Sequence, residues 1–268
     1  MVKIDPDKRH TVLNFGGGVQ STAMLVAACY GDLPDGVKPD VAIFADTQWE
    51  PPAVVAHVGV MTEWASQHGL KVVTVTAGSI RTERGANQMP LHVALTDGTK
   101  GITGRQCTTD YKLNPIRKYI RHSLGYKPYQ RWTHQIETWL GITIDEAQRM
   151  KPSKDKFETV RWPLIEMSWS RETCKRYLEK HGMAVPMKSS CVGCPYHSNR
   201  YFLDMKRERP EEWNDVVAFD KEIRSKYVFK RLQGEPYIHR NAKPLDQVYL
   251  QEDQIELFGE ECSGYCEA

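Results

Sequence analysis

Three consecutive glycines, Gly16-Gly17-Gly18, separate a short run of β-type residues from a helix-like run. The first run is Thr11–Phe15. The second, Ser21–Tyr30, is rich in alanine, leucine and methionine. The alternation then continues. Val41–Ala45 reads as a buried strand that ends at Asp46-Thr47, Ala53–His68 as a helix stopping near Gly69, and Leu70–Val75 as a third strand. A strand–helix–strand–helix–strand order is best satisfied by a parallel sheet with right-handed crossovers. The expected class is therefore α/β, with a doubly wound, mostly parallel sheet.

The rest of the chain is less regular. Ala77–Thr103 is rich in Gly, Thr, Asn and Asp and reads as a long loop, of the kind that is often functional. Leu113–Leu124 reads as a helix, Gln135–Gly141 as a further strand, and Arg171–His181 as a helix ended by Gly182. Glu211–Tyr227 is helical, and Lys230–Ala268 is a polar tail carrying two cysteines. This divides the chain into a nucleotide-binding region, 1–185, and a cysteine-bearing helical layer and tail, 186–268, packed on it.

Composition excludes some classes. The chain has 268 residues, 40% hydrophobic and 26% charged, which suits an ordinary globular protein. With 36 basic against 34 acidic residues, global charge is no argument for nucleic acid. Locally, Arg117, Lys118, Arg121, Arg131 and His134 interleave with Tyr119, Tyr126, Tyr129 and Trp132, and Lys206, Arg207 and Arg209 form a second cluster. Such a mixture suits nucleic acid or a sulfonucleotide, and equally a solvated helix face. No apolar run is long enough to cross a membrane, and the first ten residues lack a signal-peptide core, so a cytoplasmic location is expected. In a reducing compartment the seven cysteines read as buried thiols, metal ligands or reactive groups.

Chemistry concentrates at two places. Glycines let the backbone turn sharply and approach a ligand closely, and the N–H groups at a helix start attract phosphate. Ser21 and Thr22 add hydroxyls. The loop lacks the Gly-Lys-Ser/Thr ending of a Walker loop and the spacing of the dinucleotide fingerprint. The second place is Cys191-Val192-Gly193-Cys194, a turn that points two thiolates at one metal or forms a redox pair. Cys29 and Cys174 fall within helices and read as core.

Phe15–Thr22 resembles the PP-loop of the ATP pyrophosphatase and PAPS reductase superfamily, Ser-Gly-Gly-x-Asp-Ser. Gly17, Gly18 and Ser21 match, while Phe15-Gly16 replaces the leading serine and Gln20 the aspartate. Ala45–Glu50 resembles the family's Asp-Thr-Gly segment. Arg105–Ile116 resembles its Cys-Cys-x-x-x-Lys-x-x-Pro-Leu segment, with one cysteine of the pair present. Gly141–Arg149 resembles its Gly-x-Arg-x-x-Glu-Ser-x-x-Arg motif, with Thr143 in place of the first arginine. The likeness runs from about residue 11 to about residue 200 and is closest to the shorter phage-encoded reductase-like proteins, which would place the chain in the host cytoplasm.

The resemblance implies a Rossmann-like sheet of the HUP/PP-loop type with a helical C-terminal layer. It implies binding of ATP or another adenine nucleotide, with Mg²⁺, at Gly16, Gly17, Gly18, Gln20, Ser21, Thr22, Asp46, Thr47, Gly141 and Arg149. It implies a 4Fe-4S cluster on Cys107, Cys191 and Cys194. The alternative is zinc on the same thiolates, with His197 as a further ligand. Glu261-Cys262 resembles the reductases' tail motif, which makes Cys262 a candidate nucleophile; Asp46 is the other candidate catalytic residue. The implied activity is ATP-dependent thiolation of a nucleic-acid base or nucleotide through an adenylated intermediate. Reduction of phosphoadenylyl or adenylyl sulfate is one alternative, and a non-catalytic nucleotide- or nucleic-acid-binding subunit is another. DNA or tRNA, a sulfur-donor or electron-donor protein, and a second copy of the chain are the partners in view. No membrane contact is expected.

Overall fold

The computed structural model describes residues 5–229 and 232–250. Its main sheet has five parallel strands in the order β3-β2-β1-β6-β7. They are β1 (Asp5–Asn14), β2 (Val41–Asp46), β3 (Val72–Thr76), β6 (His134–Trp139) and β7 (Glu158–Arg161). The residues alternate between two cores. Leu13, Phe15, Ala42 and Phe44 face a core shared with α1 (Val19–Tyr30), α2 (Pro52–Gln67) and α6 (Arg171–Lys180). Val12, Val41, Ile43 and Ile136 face the other, built with Ile116 and Ile120 of α4 (Asn114–Ser123). Strands buried on both faces read as continuous apolar runs, which is why β1 and β2 are visible in the sequence. Helix α1 is apolar nearly all round because it is buried nearly all round, from Val19 to Ala28 with Ser21 excepted. It stops at Gly31, whose φ of 77° is the left-handed conformation of a helix end. The doubly wound α/β class expected from the sequence is the one observed.

The strand order changes direction between β1 and β6. From β1 the chain winds outward through β2 and β3, then crosses to β6 and β7 on the other side. In open parallel sheets, ligands bind outside the carboxyl ends of the strands at this switch. Here the two loops that leave the switch come very close together. A Cβ on Gly141, after β6, would lie 3.0 Å from the backbone N of Ser21 and 3.2 Å from the carbonyl carbon of Gln20. Gly141→Ala is therefore expected to lower stability by about 1–3 kcal/mol. A urea midpoint equal to that of the wild type would refute the close approach.

Two expectations need correction. The segment 77–103 is not an open loop. It contains α3 (Glu83–Ala86), capped by Thr82, and a hairpin of β4 (His92–Leu95) and β5 (Lys100–Ile102). Asp97-Gly98 makes the turn, with Gly98 at φ 83° and Asp97 accepting from the Thr99 N–H. Nor is the described part of 230–268 a plain tail. Gly234–Tyr237 forms β8, which pairs antiparallel with β4. The second sheet, β5-β4-β8, thus joins a piece of the first region to a piece of the second. The short helix α5 (Pro163–Glu166) precedes α6. The C-terminal helical layer is α7 (Asn199–Glu208) and α8 (Pro210–Ser225), whose Phe202, Met205, Trp213, Val216 and Phe219 share a third core with Trp49, Ile80 and Val192. No helix among the described residues is long and apolar enough to cross a membrane.

Candidate functional site: a glycine loop beside a thiol-lined cavity

The glycine loop follows β1 at the switch. Gly17 has φ +74°, and a Cβ there would lie 2.9 Å from Val58 Cγ2, so both conformation and space call for glycine. The Ser21 hydroxyl ties the loop to the helix it starts: it accepts from the Gly16 N–H and donates to the Gly18 carbonyl, both at 3.2 Å. Thr22 Oγ1 meets His57 Nε2 at 3.0 Å. These hydroxyls brace the loop, so its ligand-facing donors are backbone N–H groups, which have no intrahelical acceptor in a first turn.

Gln20 turns inward. Its amide is buried, donates to Glu146 Oε2 at 3.2 Å, and accepts from Arg171 Nη1 at 3.3 Å. Arg149 lies one step further away, with Nη1 2.7 Å from Glu146 Oε1. The segment after Gly141 therefore supports the loop through Glu146. The Thr143 hydroxyl is buried there with no hydrogen-bond partner among the described residues. Asp46, at the end of β2, accepts from the Gln48 N–H at 2.7 Å and holds Gln48 at φ +56°.

The thiols converge. Cys107, Cys191 and Cys194 line one cavity with Thr47, Thr108 and Lys112. Cys107 starts the helical stretch that becomes α4, and its N–H and that of Gln106 both donate to the Gln88 carbonyl. Lys112 sits in a π-turn within that stretch, a distortion often found at functional sites. Thr47 Oγ1 is 3.2 Å from Cys191 Sγ and donates to Glu50 Oε1 at 3.1 Å. Lys112 Nζ stands 4.0 Å from the same carboxylate oxygen. Burial, and then the Glu50 carboxylate, push the Cys191 thiol well above its ordinary range, against the pull of Lys112. A thiol in such surroundings is protonated at neutral pH, and a bound metal cation reverses that balance. The donor set, three cysteines lining one cavity, suits an iron–sulfur group. Among the described residues, no three His, Cys, Asp or Glu side chains converge closely enough to hold a single metal ion.

Loop and cavity adjoin. The Ser189 hydroxyl, two residues before Cys191, donates to the Gly16 carbonyl. The cysteine turn itself is seated on Trp49: the Val192 N–H donates to the Trp49 carbonyl at 2.7 Å, and Gly193 lies flat against the indole. Behind the turn, the His197 ring meets the Cys191 carbonyl at 2.9 Å and stacks on Tyr201 at 3.6 Å between centroids. Burial holds His197 neutral, with a pKa lowered to about 3. Its Nε2 is therefore spent on the backbone of the turn, which gives this ring a bracing role.

No family model matches the chain, and no curated protein matches it. Among solved structures it is similar to a phosphoadenylyl-sulfate (PAPS) reductase from Candida auris in a phosphate complex. The identity is 13% and the TM-score 0.40, over 67% of this chain and 75% of that one. A likeness this distant transfers no function.

The fold thus gathers Gly16–Gly18, Asp46-Thr47 and Gly141 at the ends of three adjacent strands, and the three thiols beside them. Cys174 is fully buried in the core and Cys29 packs against it, as expected. Cys262 lies outside the described residues. Sequence reasoning missed Ser189, Trp49 and Glu50 as the frame of the site, and read His197 as a zinc ligand where its Nε2 instead meets the Cys191 carbonyl. Only the run Ser189-Ser190 before the cysteine turn hinted at polar contacts there.

Proposed function

We propose that this chain is an enzyme of the PP-loop ATP pyrophosphatase and PAPS reductase superfamily. In this reading it activates an oxygen of a nucleic-acid base or nucleotide with ATP and replaces it with sulfur. The observation that carries this is the Ser189–Gly16 hydrogen bond, which sets the thiol cavity against the glycine loop. The base oxygen attacks the α-phosphorus, and the bond to pyrophosphate breaks. Sulfide then attacks the base carbon, and the original oxygen leaves with AMP. Sulfur enters at the oxidation level of sulfide, so no net electrons are needed. Backbone N–H groups of residues 17–19 stabilise the charge on the phosphates, and Asp46 would help to hold a Mg²⁺ that supplies further charge compensation. Lys112 offsets the charge of Glu50. An iron–sulfur cluster on Cys107, Cys191 and Cys194 would supply the place where sulfide is held.

The test uses anaerobically purified protein. Iron and acid-labile sulfide are measured beside a Cys191→Ser/Cys194→Ser variant, and AMP and pyrophosphate are followed with ATP and bulk tRNA or DNA. Iron and sulfide lost in the variant, together with pyrophosphate release, support the reading. Zinc or no metal would overturn the cluster. Sulfite released from adenylyl sulfate without ATP would overturn thiolation in favour of reduction.

A further inference from the structure

The turn between α4 and β6 has no part in this site. It lies at the amino end of β6, whereas the glycine loop and Gly141 lie at the carboxyl ends of the strands. Lys127-Pro128-Tyr129-Gln130 is a turn closed by the Gln130 N–H on the Lys127 carbonyl at 3.2 Å. Proline followed by a residue with positive φ is the pattern of a type II turn, and that second position favours glycine. Here it is Tyr129, at φ +60°. The ring is wholly in solvent, 102% exposed. Glycine would fit this backbone at lower cost, and the tyrosine gains no packing in return. A strained bulky residue that packs on nothing points to a use outside the fold.

The turn is rigid. Arg121 lies 5.0 Å from both the Tyr126 and Trp132 rings and donates to the Lys127 and Gln130 carbonyls. Tyr126 Oη accepts from the Thr133 and His134 N–H groups. Trp132 stacks on Phe157. Along the chain the charge is one-sided: no Asp or Glu stands between Asp110 and Glu137. On the flanking segments Asp155 pairs with Arg117 and Glu137 with Arg9, while β1 sets Asp5 in register with His134. Lys118, His122, Lys127, Arg131 and Lys156 are exposed.

We propose that Tyr129 and the basic residues around it form a contact for single-stranded nucleic acid. The ring stacks on an unpaired base while Lys127 and Arg131 meet phosphates. A presented aromatic ring within a positive field is the recurring design for unpaired strands. The exposed residues beside it are basic rather than aliphatic, which argues against a membrane. β6 has six residues, so the turn and the glycine loop stand about 20 Å apart. A ligand touching both is a polynucleotide, not a free nucleotide. The contact rests on the turn alone and does not depend on the sulfur chemistry.

The test is fluorescence anisotropy with the full-length protein and a labelled mixed-sequence 12-mer. Single-stranded RNA, single-stranded DNA, duplex and phosphatidylserine vesicles are compared at two salt concentrations. Tyr129→Gly is expected to weaken single-strand binding about tenfold while its melting temperature stays level or rises, and Tyr129→Trp is expected to keep binding. Lys127→Ala/Arg131→Ala is expected to flatten the salt dependence by about 1.4 in the log–log slope. Equal affinity for wild type and Tyr129→Gly overturns the proposal, as does preference for duplex, or binding to vesicles without binding to oligonucleotide. Loss of iron or of pyrophosphate release leaves these readouts unchanged, so the two readings fail separately.

Discussion

Gly193→Ala is expected to dismantle the cysteine turn. A Cβ at this position would fall 2.1 Å from Trp49 Cη2 and within 2.8 Å of two further indole carbons. A flexible neighbour could step aside, but this one is clamped. The Trp49 indole N–H donates to Asp215 at 2.6 Å, its ring meets Phe219 edge-on at 4.6 Å, and it is only 6% exposed. Overpacking at such a site costs about 3 kcal/mol or more if the turn stays in place. The cheaper response is for the turn to move, carrying Cys191 and Cys194 away from Cys107. The expected result is a modest fall in melting temperature with, on the proposed cluster assignment, a large loss of iron. Shrinking the partner should restore it, so Gly193→Ala combined with Trp49→Leu should regain metal relative to Gly193→Ala alone. Full metal loading in the single variant would show that the contact does not govern the turn.

Asp220→Ala is expected to be the most destabilising single change among the buried polar residues. The carboxylate is 1% exposed and accepts from the Ile238 and Leu245 N–H groups at 2.9 and 3.0 Å, and Arg224 stands 2.8 Å away. Alanine would strand two buried backbone donors and a mostly buried cation. Breaking a buried pair in this way costs about 3–5 kcal/mol. The damage should also reach the site. Asp220 fixes the end of β8, β8 pairs with β4, and the chain from the β4–β5 hairpin leads directly to Cys107. Chemical denaturation measures the loss, and thiol labelling of Cys107 measures the spread. A loss below about 1 kcal/mol would contradict this account.

How much was legible in the sequence follows from where burial is local. Strand β2 announces itself because both faces are covered and no polar residue interrupts Val41–Ala45, whereas of β1 only the end from Thr11 shows, since Asp5–His10 is polar. Asp46-Thr47 and the glycine loop follow as the ends of those strands. The β4–β5–β8 sheet hid itself. Its strands are three or four residues long, β8 reads Gly-Glu-Pro-Tyr, and its pairing joins distant segments. Only Asp97-Gly98 signalled it, and that turn was read as loop composition. The grouping of Cys107 with Cys191 and Cys194 came from resemblance, because no spacing rule brings segments so far apart together. Gln20 shows the limit of a motif match. The motif match reads it as a nucleotide contact, but it lies in α1 and its amide serves Glu146 and Arg171 inside the protein, a contact set by residues far along the chain.

The place of β1 at the centre of the sheet also bears on how the chain is made. One edge of β1 pairs with β2, a neighbour synthesised soon after it, but the other waits for His134–Trp139. On a ribosome, the β1–β2–β3 half-sheet emerges with β1 unpaired along one side, including its apolar Val12-Leu13 end. At ordinary elongation rates that gap lasts on the order of ten seconds. An open, hydrophobic strand edge is what aggregation and chaperone capture both recognise. The same crossing that creates the crevice at the switch leaves the nascent chain exposed until its second half arrives.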